Sequence, residues 1–408
     1  MKQILFVVTL ICGYLFSQGT VLGIFESTNF PAGITGSGDG VCRLEIIDNE
    51  LYAATEKGIY KYSEADNSWS CWGLENINVL DFKVCRDEIV AIIVPTDQKG
   101  HEAEAVAELI RLKRNQDDWE NIMDEEMGYL LYDQFLSYIM RIAQHPTDPC
   151  VLMVAAYPGI WISEDFGTSW DFKFEYLYAY NKHQFLGWHP TQNNVLFYTS
   201  EGDNFNSQIL RSADNGDNWE IINPDRMGDN SCHHLAFDSK DSDHILYSGE
   251  GCIFESNDCG KTWHCVYRQD SLDPATSIGY AYNIMFDERN NNDVYAVGCI
   301  SVNEELCIFK SSDNGYSWKC IARSDKFENR EFWINESVMF NGKIYLYTRQ
   351  GVLAYNPDNN SASVEVIHAD NKATTGMIYD LSGRKVKNPQ HGTIIIQDGK
   401  KIFVRDNE

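Results

Sequence analysis

Four copies of one pattern, Ser-x-Asp-x-Gly-x-x-Trp, stand in the middle of this chain. They are Ser163, Asp165, Gly167 and Trp170; Ser212, Asp214, Gly216 and Trp219; Ser256, Asp258, Gly260 and Trp263; and Ser311, Asp313, Gly315 and Trp318. They recur at intervals of about 45–55 residues, and recurrence at that length points to stacked supersecondary units, each unable to bury its apolar face alone. The repeat therefore constrains shape strongly and chemistry weakly.

Each copy sits in the same local context. An apolar run from Ile139 to Ala143 meets the turn His145-Pro146-Thr147-Asp148-Pro149, and a second run, Val151 to Ala156, follows. Pro158-Gly159 turns the chain again, Ile160-Trp161-Ile162 leads into the motif, and Trp170 to Phe174 closes with alternation. Short β-rich runs separated by Gly, Pro, Asn and Asp clusters predict hairpin-linked strands, and four strands in a unit of this length make a propeller blade. The motif is then the turn between third and fourth strands. Its Ser and Asp oxygens lock the backbone, its Gly supplies a positive φ, and its Trp packs between blades with one indole N–H to satisfy. Catalytic or calcium-binding aspartates would not need four equivalent copies.

These segments resemble Asp-box, or bacterial neuraminidase, repeats, and all four keep every signature residue. The resemblance implies the family of sialidases, xyloglucanases, sortilin-type receptors and photosystem assembly factors, all β-propellers in which the box lies away from the active site. Degenerate copies flank the full ones. Residues 41–72 end near Trp69, residues 79–122 end near Trp119, and 337–367 contain Lys343 to Tyr347 and Gly351 to Tyr355. The count is seven, with six or eight also fitting; terminal repeats are commonly atypical. The expected fold is all-β, a seven-bladed propeller of four-stranded antiparallel blades over residues 20–370, followed by a small β module over 371–408.

Both ends read as separate pieces. Lys2, the apolar run Ile4 to Ile11 and the small residues Ser17 and Gly19 make a secretory signal peptide over 1–19. Three short strands are expected in Gly376 to Val386, Gly392 to Ile396 and Gly399 to Val404, too few for much core. Tyr379-Asp380-x-x-Gly383-Arg384 and the strands after it resemble the C-terminal sorting module of type IX secretion substrates, with Thr393-Ile394 departing mildly from the family pattern. That resemblance implies contact with secretion machinery and a location outside a Gram-negative cell or on its surface, or in the periplasm where the export machine is missing.

Composition narrows the partners. The formal net charge of −27, from 33 basic against 60 acidic residues, removes the cationic footprint that nucleic acid requires. No mature segment has the length of apolar run that spans a bilayer. Eleven cysteines follow the leader. Cys299 with Cys307, or Cys252 with Cys265, could bridge if geometry permits. Cys-x-x-Cys and His-x-x-x-His spacings do not occur, so no metal or other cofactor is implied.

A site is expected on the propeller face that carries the interblade loops, which are rich in aromatic residues. Candidate binding residues there are Tyr132, Tyr138, Tyr176, Tyr178, Tyr180, Asp203, Tyr280, Tyr282, Phe332 and Trp333. Rings beside carboxylates suit sugars, whose apolar faces stack while hydroxyls find polar partners; the same rings could equally close gaps between blades. The leading reading is a non-catalytic propeller that presents a recognition face to a glycan or an extracellular protein. The alternative is a glycoside hydrolase of sialidase-like type, and a scaffold for a surface complex is a third class. The family's sialidases hold a substrate carboxylate with three arginines, for which Arg43, Arg141 and Arg330 are the weak candidates here; its xyloglucanases work across two facing propellers, a cleft one propeller does not form. His233-His234 read as one core and one channel residue.

Overall fold

The second strands of the blades are deeply buried. Leu152–Ala156, Ile245–Gly249 and Val294–Cys299 are buried at every position, which suits strands covered on both faces by neighbouring sheets. The computed structural model describes residues 20–21, 25–31, 34, 43–94, 107–114, 116, 118–127, 141–156, 158–175, 182–201, 207–224, 232–269, 278–290, 292–300, 306–324, 336–348, 351–358, 364–368, 378–380, 394–397 and 400–405.

Seven four-stranded antiparallel sheets form a seven-bladed β-propeller. Their innermost strands are, in order, Leu44–Ile47, Asn78–Cys85, Arg141–Gln144, Lys182–Trp188, Cys232–Phe237, Tyr280–Phe286 and Glu336–Phe340. Six blades are built from consecutive strands. The seventh is not: its outermost strand is Glu26–Ser27, paired antiparallel to Gly351–Tyr355 through Glu26 with Ala354 and Ser27 with Leu353. Val364–His368, expected within the last blade, instead joins a separate five-stranded sheet with Thr20–Val21, Lys400–Arg405, Ile394–Gln397 and Ile378–Asp380. All three strands expected in the C-terminal module are present in that sheet. One of its pairings, Val364–His368 with Lys400–Arg405, is parallel. The chain accordingly divides into two compact units, residues 24–358 and residues 1–23 with 359–408.

Apolar clusters lie between blades rather than within them. One joins Ile92 and Leu109 of the second blade to Val154 and Trp161 of the third. Another joins Leu51 and Trp69 of the first blade to Tyr345 and Tyr347 of the seventh, which closes the ring. Thr28 reinforces that junction. Its hydroxyl donates to the Val352 carbonyl at 2.6 Å and accepts the Trp69 indole N–H at 3.0 Å. A disulfide between Cys85 and Cys150 joins the second blade to the third.

The four Ser-x-Asp-x-Gly-x-x-Trp turns share one hydrogen-bond pattern. In each, the serine Oγ donates to the aspartate Oδ1 at 2.7–2.9 Å and accepts the glycine N–H at 2.7–2.9 Å. The aspartate then accepts both the backbone N–H and the side chain of the residue four positions on, as with Thr262 on Asp258. Each glycine has a φ between +82° and +93°. A Cβ on Gly260 would stand 2.8 Å from the Phe197 ring and one on Gly167 2.4 Å from Ile122 Cδ1, both in the preceding blade. Glycine is thus required twice over, for the turn and for the approach of the next sheet. The indoles follow: Trp170 donates to Ile122 O, while Trp219 and Trp318 donate to the glycine carbonyls of their own turns.

Neither expected cysteine pair is bridged. Cys299 lies opposite Leu306, and Cys307 is one residue further on, so the two thiols face opposite sides of the sheet. Cys252 and Cys265 sit diagonally across a ladder and remain thiols.

Gly260→Ala should cost about 1–3 kcal/mol, combining positive-φ strain with overpacking against Phe197, read as a lowered urea midpoint. Asp165, Asp258 and Asp313 resist protonation despite the opposing effect of burial, because their turn hydrogen bonds hold the carboxylates below the usual range. A carboxylate lowered in the folded state contributes stability above its unfolded value and loses it as pH falls through the folded one. The melting temperature should therefore decline as pH drops below about 4, and less steeply in Asp258→Asn.

Candidate functional site

The innermost strands begin on the face that carries the interblade connections, and several carry charged residues where apolar residues would be expected of a strand core. Arg43 and Glu45 come from the first blade, Asp81 and Lys83 from the second, Arg141 from the third and Glu336 from the seventh. Residues two apart on a strand share a side, so the pairs 43/45 and 81/83 each point together. Four of these strands also carry pairing shifts near the same end, at Leu80, Gln184, His233 and Tyr282. A bulge re-aims side chains and sharpens local twist, and here the shifts cluster at one mouth of the central channel.

Glu336 is the hub. Arg43 Nη1 donates to its Oε2 at 3.0 Å and Arg141 Nη1 to the same oxygen at 3.4 Å. Asn283 Nδ2 donates to its Oε1 at 3.1 Å and to Ser337 O at 3.2 Å. Arg43 is in the neighbouring blade, but Arg141 is in the third, so the 141–336 pair spans the channel. Only 7%, 15% and 10% of the Arg43, Arg141 and Glu336 side chains is exposed. Burial alone would raise the Glu336 carboxyl, yet Arg141 and Arg43 hold it below the usual carboxylate range. Burial, followed by repulsion from Arg43, brings Arg141 down to about 10.

Beside this hub lies a second group with opposite behaviour. Lys83 Nζ pairs with Glu45 and stands 3.9 Å from Asp81 Oδ1. Asp81 also accepts two backbone N–H groups, Phe82 at 2.9 Å and Ile142 of the next blade at 2.9 Å. Burial raises the Glu45 carboxyl, Lys83 opposes that, and the negative charges of Asp81 and Glu336 add to the rise. The mouth thus holds one carboxyl raised chiefly by burial and one held low by two guanidinium groups. Separated carboxyl environments of this kind divide acid and base roles in hydrolytic sites.

Three buried polar atoms around the hub have no hydrogen-bond partner among the described residues: Arg141 Nε, His234 Nδ1 and Asn283 Oδ1. Burial brings His234 down to about 4, so its imidazole is neutral at neutral pH. Its ring meets Phe185 edge-on, with centroids 5.4 Å apart. The shift at His233 breaks the strict alternation that the sequence suggests for the His pair; His233 meets the Tyr282 ring at 5.3 Å. Tyr280 and Tyr282 stack at 6.0 Å with 13° between planes. Burial raises the Tyr282 phenol well above its ordinary range, followed by the effect of Cys299.

The structure thus brings Arg43 and Arg141 together, and places Tyr280 and Tyr282 at the start of an innermost strand. Arg330, Tyr132, Tyr138, Tyr176, Tyr178, Tyr180, Asp203, Phe332 and Trp333 lie outside the described residues. Sequence reasoning missed Glu45, Asp81, Lys83 and Glu336. Among the described residues, no group of three or more His, Cys, Asp or Glu side chains converges as a metal ion would require.

No protein-family model matches the chain. A xyloglucanase from a Paenibacillus species is 32% identical over 147 residues, which is 30% of this chain and 14% of that protein. Among solved structures, a xyloglucanase from Xanthomonas campestris superposes with a TM-score of 0.55 at 15% identity, over 81% of this chain and 53% of that one. The extracellular domain of a one-component system from B. thetaiotaomicron gives 0.52 at 13% identity, over 92% of this chain and 46% of that one. The chain spans about half of each solved chain and a small part of the curated relative. These likenesses establish the propeller fold; the glycan-related neighbours bear on function only through the site.

Removing one partner of a buried ion pair strands the other charge and typically costs about 3–5 kcal/mol. Glu336→Ala should fall in that range by urea denaturation. Arg141→Met should cost less, because Arg43 and Asn283 still hold the carboxylate.

Proposed function

We propose that the protein is a glycoside hydrolase acting on glycans outside the cytoplasm, with its site at the channel mouth. The observation that carries this reading is the juxtaposition of Glu45 with the arginine-held Glu336. In this assignment Glu45 donates a proton to the departing glycosidic oxygen. Glu336 remains anionic and serves the opposite face of the sugar ring as nucleophile or base. Arg141 Nε, His234 Nδ1 and Asn283 Oδ1 offer a mixture of donor and acceptor capacity that suits sugar hydroxyls. The partial sequence likeness to a xyloglucanase supports a glycan substrate class. Sialosides are included among candidates because two guanidinium groups at the mouth suit a carboxylate.

A second reading keeps a specific support. Arg43 and Arg141 are already engaged by Glu336, and the stacked Tyr280–Tyr282 pair offers an aromatic surface, as a non-catalytic glycan-recognition face would. The full-length protein should be assayed on xyloglucan, on fluorogenic glycosides of differing sugars and on a sialoside, alongside a glycan array. Hydrolysis of one class is expected, with Glu45→Gln lowering kcat about 10²–10⁴-fold while binding of that glycan persists. Activity should fall as pH rises through the raised Glu45 value, since the acid must be protonated. Binding without turnover by the unaltered protein selects the recognition reading, and turnover untouched by Glu45→Gln overturns the acid assignment.

A further inference from the structure

Blades five and six carry the same signature. Their third strands contain Cys252-Ile253-Phe254 and Cys307-Ile308-Phe309, and their fourth strands contain Cys265-Val266-Tyr267-Arg268 and Cys320-Ile321-Ala322-Arg323. The registers coincide. Cys252 faces Arg268 and Phe254 faces Cys265, with the pairing shifted between Ile253 and Phe254; Cys307 faces Arg323 and Phe309 faces Cys320, shifted between Ile308 and Phe309. Residues two apart on a strand share a face, so each cysteine pair lies diagonally on one side of one ladder. In the sixth blade Cys307 is also the leading influence on the Cys320 thiol, which it lowers. Cys265 and Cys320 hold matching positions, each sulfur 3.3 Å from the carbonyl two residues on.

The first blade supplies an internal control. Cys71 faces Tyr60 at the equivalent fourth-strand position, across the same kind of shift, but the third strand opens with Gly58. Fourth-strand cysteine alone is therefore compatible with the blade, and the paired arrangement belongs to blades five and six.

We propose that Cys307 with Cys320, and Cys252 with Cys265, are disulfide-forming dithiols that each fasten the outermost strand of a blade to its third strand. The oxidant is an external disulfide, R–S–S–R. In the sixth blade the Cys320 thiolate attacks one sulfur of that disulfide, forming a mixed disulfide and releasing one RS⁻. Cys307 then loses its proton and attacks the Cys320 sulfur, expelling the second RS⁻. Two thiols are oxidised to one disulfide, one external disulfide is reduced to two thiols, and the two protons pass to the released thiolates. Cys320 is suited to begin: the Cys307 hydrogen bond, then Arg323, holds its thiol below the ordinary range against the effect of burial. In the fifth blade the exposed Cys265 begins, because burial pushes the Cys252 thiol up to about 12.

The test uses the full chain in native buffer, equilibrated over a series of reduced-to-oxidised glutathione ratios, quenched by alkylation and mapped by peptide mass spectrometry without reduction. The expected result is two linked peptide pairs, 307 with 320 and 252 with 265, each lighter by two hydrogens, while Cys71 is recovered alkylated or as its glutathione adduct. Cys320→Ser should abolish the first link and leave the second. The oxidised protein should melt higher than the reduced one, and this difference should vanish when all four cysteines are Ser. Recovery of Cys307 and Cys320 as alkylated thiols at the most oxidising ratio overturns the proposal, as does linkage of either to a different cysteine. Neither outcome depends on what the channel mouth binds.

Discussion

A single carboxylate holds the middle of this molecule. Seven sheets arranged about an axis converge at their innermost strands, where little room remains and where chain ends would otherwise bring loose polar backbone together. Glu336 takes guanidinium groups from an adjacent blade and from across the axis, so one side chain couples non-neighbouring parts of the ring. Desolvation of those three charges is tolerable only because each is met by opposite charge or a hydrogen bond. The same requirement makes loss of the shared carboxylate costlier than loss of either guanidinium. Structural service and chemical readiness here arise from the same atoms.

The blades were legible because their turns are chemically over-determined. Ser, Asp, Gly and Trp each meet a distinct demand, and four copies in a row leave little freedom. Arg43 and Arg141 stood out only through a family comparison that asks for arginines. Glu45, Asp81, Lys83 and Glu336 left a signal: charged residues stand within the innermost strands, among positions that a sheet core would make apolar. The shifts at His233 and Tyr282 left none, since a bulge depends on how two strands settle together. The two-residue strand Glu26–Ser27 is equally silent, being too short to show alternation, and it fills the place in the seventh blade that the sequence pattern suggests for Val364–His368.

Stability in this architecture resides at sheet-to-sheet junctions. The apolar clusters, the glycine contacts onto Ile122 and Phe197 and the Cys85–Cys150 bridge all connect one blade to the next. Within a blade the fourth strand is comparatively exposed, as at His264–Arg268 and Asp171–Glu175. Such strands have few apolar contacts and are the first to open locally, which is where a covalent tie across a ladder has most to offer.

The clasp of the seventh blade has a mechanical consequence. Since Glu26–Ser27 lies against Gly351–Tyr355, the two ends of the propeller unit leave from one sheet. Tension applied between those ends is borne by this short ladder and by Thr28 before any other blade feels it. Resistance to stretching is thereby concentrated in a few hydrogen bonds, and the other six sheets are shielded until that fastening gives way.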